Sequence, residues 1–417
     1  MTDAPIQISR RAAIALLLAS TSSHAEAQPT RGFAQRTGSV FTPAPHNPLA
    51  LPDIAEIAIP SFPDMHAIWG SSGRDDRGHL WFGVCAVNDH FSAHLMEYDP
   101  TANRIADRGD VLSALSAVRR LHPGEGQIKI HSKLIQADDG HLYFTSTDEE
   151  GEAEDGSAPP RWGSHLWRVR PENPVWEHLL AVPEGLTCAG GAGRWIYALG
   201  YWNHVLYRYD TQTGDTLRRE VGSVGGHMCR SLVIDANGHA YVPRVTPAES
   251  GVTARLIEFD HNLIEIASLP LEHYADGQTP ADAHGIIGYT FLANRSIVFA
   301  TGVGQLYLIS PNETGPATVH PLGWFHPAGR AYTPSLFTWD GINSIAGIGM
   351  PAGGSWDWVV FDLNTGKSTA APFPHGLGYP PLLYGSQTRD DQGRFYLVGR
   401  RRKDGNKLPV ILQLRTA

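Results

Sequence analysis

Three cysteines in 417 residues are too few for a disulfide-stapled scaffold, and Cys85, Cys188 and Cys229 cannot all pair within one chain. Apolar runs near 20 residues are missing from the body of the chain, which excludes a membrane-spanning helix there. A net charge of −9 leaves no excess of basic residues for wrapping nucleic acid. Helical periodicity is scarce as well, and only Val111 to Leu121 has the pattern of an amphipathic helix. What is present is 42% hydrophobic and 18% charged residues with 44 Gly and 30 Pro, the composition of a globular chain rich in turns.

A short phrase organises that chain. Asp139-Gly140-His141-Leu142-Tyr143-Phe144 returns in degraded form at Gly78 to Trp81, Arg194 to Tyr197, Gly238 to Tyr241, Arg295 to Phe299, Gly341 to Ile345 and Gly393 to Tyr396. The seven copies lie roughly 40 to 60 residues apart, the spacing of four-stranded propeller blades. Asp, Asn and Gly supply a tight hairpin, and the apolar and aromatic run after it suits a strand buried between sheets. A second hairpin follows in several copies, as in His94 to Asp99 before the turn Pro100 to Asn103, and Leu206 to Asp210 before Thr211 to Gly214. The expected fold is all-β, a seven-bladed β-propeller. The last copy, from Pro381, has material for about three strands, while Ile54 to Ile59 alternates like a strand before the first copy. The ring is therefore expected to close with an N-terminal strand in the last blade.

Ahead of that strand, Ser9-Arg10-Arg11 precedes the apolar stretch Ala12 to Ala19, and Ala25-Glu26-Ala27 offers small residues to a signal peptidase. Residues 1–27 thus look like a twin-arginine export signal, giving a periplasmic or extracellular protein. Residues 28–51 are expected to be a flexible lead-in, and 52–417 a single propeller domain, a monomer without a membrane span. Cys188 and Cys229 fall on expected innermost strands of neighbouring blades; a bridge or shared metal there is conceivable, but buried free thiols are the simpler reading.

The loops entering the innermost strands of a propeller rim a funnel on one face. Counting back twelve positions from the closing aromatic of four phrases reaches Trp69, His131, Cys229 and Tyr384, with His66, His227, Arg230 and His284 near the same level. In Ile128-Lys129-Ile130-His131-Ser132-Lys133, strand alternation would put His131 on one face with Lys129 and Lys133, whose charges favour a neutral, proton-accepting imidazole. Arg119, Arg120 and His122 add positive potential, so an anionic ligand is expected at this mouth despite the overall negative charge. Arg230 can grip a carboxylate in a bidentate fork. Tyr201 is the expected phenol beside the site, and Trp202 a stacking platform for a sugar ring.

The order of a Lys-Ile-His-Ser segment in blade two, an aromatic hairpin in blade three and Cys229-Arg230-Ser231 in blade four resembles the seven-bladed propeller polysaccharide lyases, the ulvan lyases and relatives that act next to glucuronate. Gly163 to Arg168 and Leu206 to Asp210 extend the likeness, which runs from about Met65 onward. It implies a His and a Tyr that handle protons and an Arg that neutralises the uronate carboxylate. His131 and Arg230 take those positions here, and Tyr201 is the candidate among several tyrosines of the third blade. Related oligogalacturonate lyases hold a metal through clustered histidines; no matching cluster stands in this sequence. No cofactor is therefore expected, although a bound calcium or zinc ion stays open.

The expected activity is β-elimination on an acidic polysaccharide or oligosaccharide, with His131, Tyr201 and Arg230 catalytic and His66, Lys129, Trp202, His227, His284 and Tyr384 binding substrate. Two alternatives remain. One is a non-catalytic propeller that binds a glycan or protein through the same funnel. The other is a glycoside hydrolase, which needs a carboxyl pair such as Asp282 and Glu184.

Overall fold

In the computed structural model the described residues are 51–415, apart from 89, 154–155, 275–284, 341, 374–376, 378 and 380. They form seven antiparallel sheets that pack against one another around a ring, so the seven-bladed propeller holds. Six sheets have four strands. Blade 1 has five, because its innermost strand is broken into Met65–Ala67 and Ser72–Arg74, both paired with Leu80–Ala86. One short helix, Val111–Ala117, follows blade 1 and is capped by the Asp110 side chain.

Each copy of the phrase opens the second strand of its blade, from Leu80–Ala86 in blade 1 to Phe395–Lys403 in blade 7. The structure explains why the phrase repeats. In blade 4, Asp235 Oδ1 accepts the backbone N–H groups of Asn237 (2.8 Å) and His239 (2.9 Å), folding the turn. Its other oxygen accepts the hydroxyl of Tyr241 at 2.8 Å, tying the turn to the aromatic that closes the phrase. Asp75 does the same for Arg77, His79 and the Trp81 indole, and Asp390 for Gln392, Arg394 and Tyr396. One buried carboxylate therefore satisfies both a turn and a core polar group, which would otherwise be costly to bury.

Closure is as expected in kind and shorter in extent. Asp53–Glu56 pairs with Asn406–Arg415, from Asp53 opposite Arg415 to Glu56 opposite Leu412, and completes blade 7 as its outermost strand. Innermost strands converge so tightly that side chains are excluded at some positions. A Cβ on Gly73 would lie 2.1 Å from the Leu134 carbonyl oxygen of the next blade. The axis is correspondingly narrow where Ser72, Leu134, Ile234, Tyr289 and Thr388 among others line a void of about 20 Å³. That is room for about one water.

Candidate functional site

Every innermost strand starts on the funnel face and ends at a phrase turn on the opposite face, which places the segments 66–71, 128–133, 227–231 and 382–386 around one mouth. Residues 128–133 do not form the regular strand expected of them. Only Ile135–Gln136 is a strand, and Lys129 makes an isolated bridge to Thr147. The segment runs extended between blades 1 and 3 instead, with Ile130 packed so closely on Gly83 that a Cβ there would lie 2.4 Å from it.

His131 is buried in this segment and its Nδ1 lies 3.0 Å from the Thr187 carbonyl oxygen of blade 3. A carbonyl only accepts, so Nδ1 carries the proton and the Nε2 lone pair is left for another partner. Burial, then the charges of Arg230 and Lys129, hold this imidazole well below its ordinary range, so it is neutral at physiological pH. Arg230 is half-buried and, among the described residues, makes no ion pair or hydrogen bond. Its charge is felt by Tyr332 and Tyr384 as well as by His131, so four side chains from blades 2, 4, 6 and 7 converge.

The far side of the mouth is aromatic and cationic. Trp69 and Tyr384 pack with ring centroids 4.2 Å apart, Arg400 lies 5.1 Å above Trp69 and 5.7 Å above Tyr384, and Lys129 lies 5.3 Å above Trp69. Arg400 donates to His66 Nε2 at 3.0 Å, and burial followed by the Arg400 charge lowers His66 to about 4. The Trp69 indole N–H is buried without an acceptor among the described residues, an unused donor at the site. Lys133 turns away, donating to the Gly70 carbonyl at 2.6 Å, and burial lowers it to about 8.

Several expected site residues sit differently. Tyr201 is 1% exposed and donates its hydroxyl to Glu152 at 2.6 Å. That carboxyl is raised by burial to about 7, and it feels both Glu149 and Lys129, which form an ion pair with each other. Trp202 is not an open platform: it is 9% exposed, with its ring edge against Tyr201 at 4.6 Å and its Cβ close to Gly156. His227 is also not at the surface. It is fully buried, with Nδ1 2.7 Å from Ser223 Oγ and Nε2 2.8 Å from Tyr274 Oη, so both ring nitrogens are occupied by the protein itself. His284 and Asp282 lie outside the described residues. Glu184 is engaged by Tyr207 and Arg218, with no second carboxylate brought to it by any contact among the described residues.

His66, Lys129, His131, Arg230 and Tyr384, all expected near this mouth, stand there together with Arg400, Tyr332, Glu149 and Glu152, to which the repeat spacing does not point. Arg400 stands on the second strand of blade 7, outside the first strands on which the spacing of the phrase places the mouth.

All three cysteines are buried free thiols. Cys188 and Cys229 do lie together, with Cys188 Sγ 2.6 Å from the Cys229 carbonyl oxygen, directly behind Thr187 and Arg230. Two sets of potential metal ligands occur among the described residues, Asp75-His79-Glu97 and Asp235-His239-Glu258. Both belong to phrase turns on the face opposite the funnel. Their aspartates are saturated by the turn hydrogen bonds described above, and each histidine donates to its glutamate at 2.6 and 2.7 Å. They knit the hairpins and do not form an open coordination site.

No family model and no curated protein matches the chain. Among solved structures it is similar to U3-55K, at 9% identity over 87% of this chain and 98% of that one with a TM-score of 0.54. It is also similar to YCF48 bound to D1 peptide, at 13% identity over 90% and 98% of the two chains with a TM-score of 0.52. The β-propeller domain of the Trilobed protease from Pyrococcus furiosus aligns at 8% identity over 84% and 95%, with a TM-score of 0.45. Likeness at this level of identity reaches the fold and stops there.

Proposed function

We propose that this chain is an exported polysaccharide lyase that cleaves a glycosidic bond next to a glucuronate-type uronic acid by β-elimination. The observation that carries the reading is Arg230, a half-buried guanidinium without an anionic partner among the described residues, beside a neutral imidazole. Elimination at a uronate removes the proton on carbon 5 and expels the oxygen on carbon 4. An ionised carboxylate resists the added negative charge of the enolate, and a preorganised cation offsets that cost by roughly 3 to 4 kcal/mol.

Arg230 takes the carboxylate in this reading. The Nε2 lone pair of His131 takes the carbon-5 proton, since its Nδ1–H is committed to Thr187. The leaving oxygen needs a proton. The Tyr201 and Glu152 pair supplies it: a carboxyl raised to about 7 keeps an exchangeable proton at neutral pH. Trp69 and Tyr384 offer faces for the sugar, and Lys129 and Arg400 add charge for acidic neighbours. No step requires a metal from the residues named.

The test is to incubate the protein with ulvan, gum arabic and pectin and follow the ultraviolet absorbance of the unsaturated uronate product. Absorbance should rise with one of them. His131→Ala should slow turnover by roughly 10²-fold or more, and Arg230→Lys should also fail, because a single ammonium cannot replace the fork. Full activity in both variants would show that the reaction happens elsewhere. Binding without any absorbance change would favour a glycan-binding propeller, the reading supported by the commitment of the Tyr201 hydroxyl to a protein carboxylate.

A further inference from the structure

A groove of about 780 Å³ runs outward between blades 6 and 7, lined by Trp356, Tyr379, Leu382, Arg400, Arg401 and Arg402 among others. It is not a separate cavity. Arg400 belongs to both the groove and the funnel mouth, where it covers Trp69 and Tyr384. Its floor is apolar, with Trp356 and Phe373 5% and 4% exposed, while Leu382 is 43% exposed on the wall.

The hairpin that forms one wall, Phe395–Lys403 and Asn406–Arg415, carries Arg400, Arg401, Arg402, Lys403 and Lys407 against the single carboxylate Asp404. In a chain of net charge −9 this is a concentrated positive strip, and it reaches the funnel, since Lys407 contributes to lowering His66. Arg401 is used internally, bonded to Glu56 at 2.8 Å beside the Tyr379 ring. Arg402 is exposed and makes no ion pair among the described residues.

We infer that this groove seats the adjoining sugar residues of the acidic polysaccharide whose uronate enters the funnel, so that the substrate is a chain laid radially across blades 6 and 7. This rests on the funnel reading above and adds the direction and length of the occupant. Three features favour a sugar chain: continuity with the funnel through Arg400, aromatic and apolar faces for pyranose rings, and cations spaced along one wall for successive carboxylates or sulfates. The volume falls within the roughly 300 to 1,000 Å³ of ligand clefts, enough for a short oligosaccharide.

The experiment compares size-defined glucuronate-containing oligosaccharides of two and of six residues, prepared from the polysaccharide the protein cleaves, on wild type, Arg402→Glu and Leu382→Ala. Binding is measured by calorimetry with His131→Ala protein, and kcat and KM with active protein. Wild type should prefer the hexamer. Arg402→Glu should raise the hexamer's KM and Kd by about tenfold, as expected for loss of a charged hydrogen bond, and shift those of the dimer much less. Leu382→Ala should act in the same direction without altering charge. Equal affinity for both lengths in wild type, or a length preference untouched by Arg402→Glu, would overturn the groove and leave the funnel reading intact. If wild type neither binds nor cleaves any acidic saccharide, the funnel reading fails and the groove assignment falls with it.

Discussion

At the scale of single residues, histidines with suppressed basicity recur. His204 is fully buried, with Nδ1 2.8 Å from the Pro243 carbonyl oxygen, Nε2 without a partner among the described residues, and its ring 4.4 Å from that of His227. Burial lowers it from 6.5 to about 4, only partly opposed by the Pro243 hydrogen bond. The folded protein thus refuses a proton that the unfolded chain accepts below pH 6.5. Stability from this group is complete above pH 6.5 and is lost as pH falls toward about 4. The shift corresponds to roughly 3 kcal/mol in all. His204→Asn keeps a donor for Pro243 and cannot titrate, so urea unfolding of this variant between pH 7 and 4.5 should show a flatter loss of stability than wild type. Identical slopes would mean that the proton is taken up elsewhere.

At the scale of elements, the buried aspartate clamp is found in blades 1, 4 and 7, and blade 6 carries an exposed version of it. Asp235 is buried and holds both its turn and Tyr241, whereas Asp340 of blade 6 is exposed and holds only the backbone of Ile342, Asn343 and Ser344. Asp235→Ala should therefore cost about 2 to 4 kcal/mol, and Asp340→Ala about 1 kcal/mol or less. Chemical denaturation of the two variants measures the difference, and equal losses would contradict a role for the buried aromatic link. The sequence made these hairpins readable because the Gly and the closing aromatic recur at fixed spacing. It hid the clamp, because the responsible Asp lies three residues before the Gly and is replaced by Ala137 in the copy that reads most clearly. The funnel was legible to the same extent. His131 and Arg230 were reachable by counting along first strands, while the burial of Trp202 and His227 depends on packing from other blades that no local pattern encodes.

At the scale of the whole molecule, the ring is held shut by four residues from its N-terminal side. Removing everything before Ile57 would strip Asp53–Glu56 from blade 7 and expose the edge of Asn406–Arg415 to solvent. Four lost cross-strand pairs should lower stability by about 1 to 4 kcal/mol, read as a fall in Tm by calorimetry. Glu56 adds its contacts with Arg401 and Tyr379, so the same truncation should loosen the wall of the outer groove. An unchanged Tm would mean that three strands suffice for blade 7.

The same pairing fixes how the molecule can be held. Asp53 and Arg415 are partners on the outermost two strands of one blade, at the end remote from the funnel. A linker attached directly at Asp53 or Arg415 therefore departs from the rear perimeter. Anchored to a bead through Arg415, the ring presents its mouth on the side away from the bead.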